Sequence, residues 1–462
     1  MQRAVLIPLI VACALFMENM DSTVIATSLP AIAKDIGENP LALKLALTAY
    51  LVGLAVFIPI SGWVADRLGS RTVFAWAIGV FMLGSILCAV SDTLAAFVAA
   101  RFLQGIGGAM MVPVGRLVLL RAVPKNELVV ALNYLTIPAL VGPIMGPPLG
   151  GFITQYFHWR WIFFINIPIG ILGIYLVLRH IPNVKDVEQP RLDFTGFVLA
   201  GIGLSVLMLG LSALGGHTMP AQATAACIAT GALALAAYAW HAQRTPHPVI
   251  DLSLAKLPTF FAGVFAGSLF RIGVGTTTLL LPLLFQIGFG MDPLHSGLLS
   301  CATALGAMFM KTLTVWILKR YGFRRVLTVN AVTASLAVAA CALFTAATPH
   351  LVIFIVLLIA GCLRSLQFTS LQAISFAEIT RETMSQGSSI ASMAQRLAQS
   401  LGVAVGAYAL ELSSEAQGHA DIVAADFPPA LVAVSIMAAM SLFLHLRLAP
   451  DAGAEVSGQV QR

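Results

Sequence analysis

Leu15–Pro30 reads LFMENMDSTVIATSLP and sets Glu18 and Asp21 inside an apolar run long enough to cross a bilayer. The two acids are three residues apart, so on a helix they share a face. A carboxylate at membrane depth costs at least about 2.5 kcal/mol on insertion scales. A water-filled path, a partner cation or protonation must offset that cost. The plain alternative is an acid near the helix end that reaches the headgroups. The functional reading is a proton or substrate site.

The rest of the chain has the same apolar character. Of its 462 residues, 59% are hydrophobic and 10% charged, where soluble domains carry nearer 25% charged residues. The expected class is an all-α polytopic membrane protein. Runs of about twenty apolar residues read as spanning helices. Fourteen such runs are expected, at Val5–Leu29, Leu43–Ile60, Val73–Val90, Ala95–Leu120, Val129–Ile153, Trp161–Leu178, Thr195–Leu214, Gln222–Trp240, Phe260–Phe285, Gly297–Leu318, Val326–Thr345, Leu351–Phe368, Gln386–Glu411 and Pro429–His445. With the N-terminus inside, 17 of the 26 basic residues fall on the cytoplasmic side, 3 outside and 6 in the membrane. That bias supports an even number of spans with both termini cytoplasmic.

Two polar linkers flank the seventh and eighth runs, which carry no charge, so these read as a hairpin inserted between two six-helix bundles. The expected division is 1–180 for the first bundle, 181–258 for linkers and hairpin, 259–448 for the second bundle and 449–462 for a cytoplasmic tail. An internal repeat agrees with it: DRLGSR at Asp66–Arg71 and KRYGFR at Lys319–Arg324 match at a spacing of 253 in Arg67/Arg320, Gly69/Gly322 and Arg71/Arg324. Parallel halves of this kind occur among transporters, with the substrate site at the midplane between them.

Five stretches then lie in a telling order: DST at Asp21–Thr23 with Pro30, GWVADRLGSR at Gly62–Arg71, RFLQGIGGA at Arg101–Ala109, GPIMGPPLGG at Gly142–Gly151 and HWRWIFFINIP at His158–Pro168. Together they resemble the major facilitator superfamily. Within it they are most similar to the fourteen-helix drug:proton antiporters, multidrug resistance exporters of the Mdt group among them. The resemblance implies that Gly62, Asp66, Arg67, Gly69 and Arg71 form a gate lock at the cytoplasmic face. It implies a part in proton coupling for Arg101, and an antiporter motif in Gly142, Pro143, Gly146, Pro147 and Gly150. In the repeat, Lys319 and Val315 stand where Asp66 and Gly62 would be, so the second loop departs from the acid-based lock at both positions.

Glu18, Asp21, Arg101, Arg116, Arg271, Lys311, Arg364 and Arg396 are the clear intramembrane charges. By the resemblance, all fall on helices that line the central cavity. Six bases against two acids make that cavity positive, and Arg suits oxyanions through forked hydrogen bonds. Asp21, Glu18 and Arg101 are the expected proton-coupling residues. Arg271, Lys311, Arg364, Arg396, Gln104 and Gln367 are the expected substrate contacts.

The expected function is a proton-coupled exporter of small molecules working by alternating access. Its substrate would be anionic or zwitterionic, such as a carboxylate, a metal-citrate complex or a siderophore. Export of lipophilic cationic drugs is the alternative, and a proton-independent facilitator or channel a further one. No P-loop is present, and all nine histidines fall in loops or at helix ends, so no enzyme, metal site or cofactor is expected. The basic residues form no nucleic-acid footprint. A monomer in a bacterial-type inner membrane, with substrate, protons and lipid as partners, completes the expectation.

Overall fold

The computed structural model describes residues 3–122, 128–183, 185, 192–214, 219–246, 248–379, 383–419 and 421–454. The expected tail is thus described as far as Ala454, and the linkers in part. Among these residues every regular element is helical. Twelve helices are long and apolar enough to cross a membrane: α1 (Leu6–Ile36), α2 (Pro40–Leu68), α3 (Ser70–Ala89), α4 (Leu94–Leu119), α6 (Trp161–His180), α7 (Phe194–Ser212), α8 (Ala221–Ala242), α9 (Pro258–Gly288), α10 (Pro293–Tyr321), α11 (Phe323–Leu343), α12 (His350–Ser375) and α14 (Ala424–His445). Two further helices, α5 (Leu128–Tyr156) and α13 (Met384–Gln417), are of similar length and are not among the twelve. Large apolar side chains such as Trp76 and Leu233, each 71% exposed, point outward. Lipid, not water, suits such a surface. The chain is a multi-pass membrane protein.

Several helices run further than the hydropathy pattern suggests. The second run is expected to stop at Ile60, but α2 continues to Leu68. Pro59 lacks an amide donor, and a short 3-10 turn at Ile58–Ile60 carries the chain past it. α6 is interrupted after Phe164 and resumes at Asn166. α9 holds two wide π-turns, Ala262–Ala266 and Leu284–Gly288.

The chain divides into two compact units: Met1–Leu209 with Cys227–Val249, and Gly210–Ala226 with Ile250–Arg462. In the first, α1 lies along α5, α2 along α4, and α3 against both α4 and α6. In the second, α9 lies along α13, α10 along α12, and α11 against both α12 and α14. The pairing order is the same in both. Small residues set the close seams. A Cβ on Gly53 would come within 2.7 Å of the Phe102 carbonyl oxygen, holding α2 against α4. Gly306 and Gly361 do the same for α10 and α12, where an added Cβ would overlap the carbonyls of Leu358 and Thr303.

The repeated loop shows why its glycine matters. Gly69 (φ 99°) separates α2 from α3 and Gly322 (φ 72°) separates α10 from α11. Both angles lie where a side chain is strained. The helix start after each loop is tied to a later segment of the same unit. Thr72 N–H, at the start of α3, donates to Asn183 Oδ1 beyond α6 at 3.4 Å. Arg324 Nη2, at the start of α11, donates to the Leu446 carbonyl beyond α14 at 3.1 Å. A Cβ on Gly69 would overlap the Asn183 carboxamide. Gly69→Ala is therefore expected to lower stability by about 1–3 kcal/mol. Thermal unfolding in detergent, compared with Gly62→Ala, checks this. A Cβ on Gly62 meets no atom within 4 Å, so that variant should unfold like the parent.

Candidate functional site

Four helices of the first unit bring their polar side chains to one point. On α4, Arg101 and Gln104 are one turn apart and share a face. Arg101 Nη1 donates to Asp21 Oδ2 of α1 at 2.7 Å, and Gln104 Nε2 donates to Asp21 Oδ1 at 2.9 Å. Asn166 Nδ2, from α6, donates to the same Oδ1 at 2.9 Å. The Asp21 carboxylate thus accepts three hydrogen bonds, one of them from its counter-ion. Arg101 is fully buried and Asp21 is 3% exposed. Ser85 of α3 closes the set, accepting from Gln104 Nε2 at 2.8 Å and from Asn166 Nδ2 at 3.1 Å.

Glycine makes this convergence possible. A Cβ on Gly84 would sit 2.6 Å from Gln104 Cβ, so only glycine lets α3 come close enough for Ser85 to meet Gln104. Below the ion pair, the Arg101 guanidinium lies over the Tyr50 ring at 4.4 Å, a cation–π contact inside an apolar surround. Arg101 Nη1 also donates to Gln104 Oε1. Glu18, one turn before Asp21, is fully buried and interacts electrostatically with Arg116 of α4, whose own side chain is exposed.

The stretch from Gly142 to Gly150 on α5 faces α1 around the same acid. A Cβ on Gly142 would press on the Met20 amide at 3.1 Å, one on Gly146 would overlap Thr23, and one on Gly150 would sit 2.5 Å from the Val24 carbonyl oxygen. These three glycines, four residues apart, let α5 run along α1 on either side of Asp21 in register. Thr27 Oγ1 donates across the seam to the Pro147 carbonyl at 3.4 Å, and Ser28 meets Thr154 at 2.7 Å. Pro143 is on the same stretch. At the end of α2, Arg67 is exposed with its guanidinium 5.4 Å from the Trp63 ring, while Asp66 and, past the loop, Arg71 are half-buried.

The basic residues of the second unit are spread out. Arg271 of α9 is 2% exposed and reaches back along its own helix, donating to the carbonyls of Gly263 (2.9 Å) and Val264 (3.2 Å) in the first π-turn. Arg364 of α12 borders a cavity of about 30 Å³ together with Thr277, Thr303 and Cys341, room for about one water. Lys311 is exposed on α10 and Arg396 is half-buried on α13. Gln367 is fully buried between α11 and α12. Its Nε2 donates to the Leu327 carbonyl at 3.1 Å, and its Oε1 accepts from Asn330 Nδ2 at 2.9 Å. A cavity of about 590 Å³ lies at the α9 start and the α14 end beside Thr259, Glu378, Arg447 and Asp451. None of the residues expected from the sequence lines it.

Asp21 and Arg101 therefore meet, and Gln104 joins them, although the sequence reading sets it apart as a substrate contact. Ser85 and Tyr50 escape that reading, and Asn166 enters it only as one letter of the His158–Pro168 motif. A serine or tyrosine within an apolar run carries no signal until its neighbours are known.

The Major Facilitator Superfamily sequence pattern matches residues 11–403. The chain is 40% identical over 400 residues to a putative multidrug resistance protein named MdtD from Serratia proteamaculans (strain 568), covering 86% of this chain and 83% of that one. It is 39% identical over 408 residues to the protein of the same name from Escherichia coli O6:H1, covering 87% and 85%. Among solved structures, a POT family transporter in complex with 5-aminolevulinic acid superposes with a TM-score of 0.70 at 14% identity, over 97% of this chain and 96% of that one. The nucleoside transporter NupG superposes at 0.66 and 13% identity, over 95% and 99%. At such identities the structures speak for the fold alone. The sequence match, running nearly end to end through the Asp21–Arg101 cluster and the glycine seam beside it, makes this chain a member of the major facilitator superfamily.

Proposed function

We propose that this transporter is a proton-coupled exporter of small molecules that works by alternating access. The observation that carries the reading is the buried Asp21–Arg101 pair, 2.7 Å long and withdrawn from water. A carboxylate held by a cation and two amides is stable while charged. Taking up a proton removes its claim on Arg101 and shifts the balance between two conformations. Asp21 is the proton carrier in this reading, Arg101 its partner and Glu18 an accessory acid.

The finer features of the fold belong here too. We read α5 and α13 as further spans, giving fourteen, with α7 and α8 as a hairpin inserted between two six-helix bundles. Gly62, Asp66, Arg67, Gly69 and Arg71 act as the gate at the cytoplasmic end. The protein sits as a monomer in a bacterial-type inner membrane with both termini cytoplasmic.

For the substrate we favour an anion or zwitterion, such as a carboxylate or a metal-citrate or siderophore complex, contacted by Arg271, Lys311, Arg364 and Arg396. Among the described residues no acidic side chain bonds to Arg271 or Arg364, which leaves both as cationic sites. The relatives' multidrug resistance name favours a second reading, export of lipophilic cations.

Transport in inside-out vesicles with an acid interior separates the two. Labelled citrate and its ferric complex are expected to accumulate, and to stop doing so when the proton gradient is collapsed. Gradient-dependent accumulation of a lipophilic cationic dye instead would establish the second reading. Downhill flux indifferent to the gradient would overturn proton coupling.

A further inference from the structure

Asn166 is bound on one side only. Its Nδ2 donates to Asp21 Oδ1 and to Ser85 Oγ, at 2.9 and 3.1 Å. Its Oδ1 is buried and has no hydrogen-bond partner among the described residues. The orientation of the amide is not arbitrary, because both neighbours it faces are oxygens and at least the carboxylate can only accept. A fully buried carboxamide that leaves its oxygen unused costs free energy in this state and calls for an explanation.

We propose that Asn166 is a positioning residue whose amide turns over when Asp21 changes protonation state, donating to the charged carboxylate and accepting from the neutral acid. The inference rests on the proton-coupling reading of Asp21. Protonation at Asp21 Oδ1 converts an acceptor into an O–H donor. That oxygen then faces two amide donors, from Gln104 and Asn166, and has no acceptor for its proton. A half-turn of the Asn166 amide brings Oδ1 to the place Nδ2 held, within reach of the new O–H and of the Ser85 hydroxyl. It also carries Nδ2 to the place Oδ1 held, where no acceptor stands among the described residues, so the turned state costs free energy that the new O–H bond must offset. Only one proton moves, onto Asp21 Oδ1, and no other bond is made or broken than these hydrogen bonds.

Gln104 is less free to make the same move. Its Oε1 already accepts from Arg101 Nη1 while its Nε2 holds Ser85, so both ends are engaged. Ser85 suits either state, because a hydroxyl can accept from Nδ2 or donate to Oδ1. The charged and titratable groups that face Asp21 are few. Arg101 comes from α4, Cys88 from α3 and Tyr50 from α2, and Glu18 lies on α1 itself with Arg116 acting on it. On α5 the stretch facing Asp21 is glycine at 142 and 146, so among the described residues α6 contributes the neutral amide with an end left to turn.

The test needs no substrate. The full-length protein in lipid, with its asparagines carbonyl-labelled, is titrated and followed by infrared difference spectroscopy. A carboxylic acid band that is absent in Asp21→Asn is expected on acidification, together with a labelled side-chain amide band that vanishes in Asn166→Leu. In Asn166→Leu the acid band should move, because its O–H has lost its acceptor. Asn166→Ser, whose hydroxyl can also serve both states, should restore it. If no acid band belongs to Asp21, the proton-coupling reading fails. If that band appears and is the same in Asn166→Leu, with no labelled amide change in the parent, coupling stands and Asn166 is only structural.

Discussion

Asp21→Asn is expected to bring gradient-driven transport down to the level of empty vesicles. The substitution keeps the shape of the side chain and one acceptor oxygen, so insertion and the α1–α5 seam should survive. It removes the charge, and with it the proton-binding group of the proposed mechanism. It also strands Arg101, a guanidinium with no exposure to water. Removing one partner of a buried ion pair costs about 3–5 kcal/mol, because the remaining charge is uncompensated. A lower thermal midpoint should therefore accompany the loss of transport. The double change Asp21→Asn with Arg101→Gln separates the two effects. It leaves no unpaired charge, so stability should recover while transport stays at background. Full gradient-driven transport in either variant would end the case for Asp21 as the proton carrier.

The second large effect is expected at Gly146. A Cβ there would overlap Thr23, whose hydroxyl lies against the glycine and bonds back to the carbonyls of Asn19 and Met20 at 3.0 Å. Gly146→Val adds two further carbons and forces α5 away from α1. Overpacking a tight contact costs about 1–3 kcal/mol even where neighbours can shift. Here the neighbour belongs to the helix turn just after Asp21, so separating the helices also pulls Asp21 from Arg101. Loss of monodisperse protein in detergent is the expected result. Gly146→Ala should be milder, and Thr23→Ala combined with it should recover most of the loss by vacating the contested space. A Gly146→Val protein as stable as the parent would mean that the seam is not a close one. Recovery by Thr23→Ala would place the motif's first duty in packing, with any effect on transport arising from the position it gives Asp21.

Much of the architecture is legible because the membrane simplifies the code. Long apolar runs, a basic bias and the repeated glycine loop need no tertiary knowledge. Trp63 and Trp316 stand at the same spacing of 253 as the repeat and extend it. Asp21 and Arg101 are legible for the same reason, since a charge in an apolar run stands out. Choices made by packing are not. Gln104 and Gln367 look alike in sequence, yet one completes the ion-pair cluster and the other joins α11 to α12 through Asn330. Arg271 stands out in the sequence as a charge, but the partners of its guanidinium do not. The carbonyls it bonds are in a π-turn, which no residue pattern announces.

The spacing of the cluster along the chain has a consequence for biosynthesis. Asp21 precedes Arg101 by 80 residues and Asn166 by 145. At about 5–20 residues per second, the ribosome makes α1 some 4–16 seconds before it makes the arginine that α1 requires. During that interval Asp21 lacks the counter-ion it has in the finished protein. Asp21 gains that partner only when α4 arrives, and the cluster is complete only once α6 has been made. A cluster that is compact in the folded protein is thus drawn from residues made far apart in time.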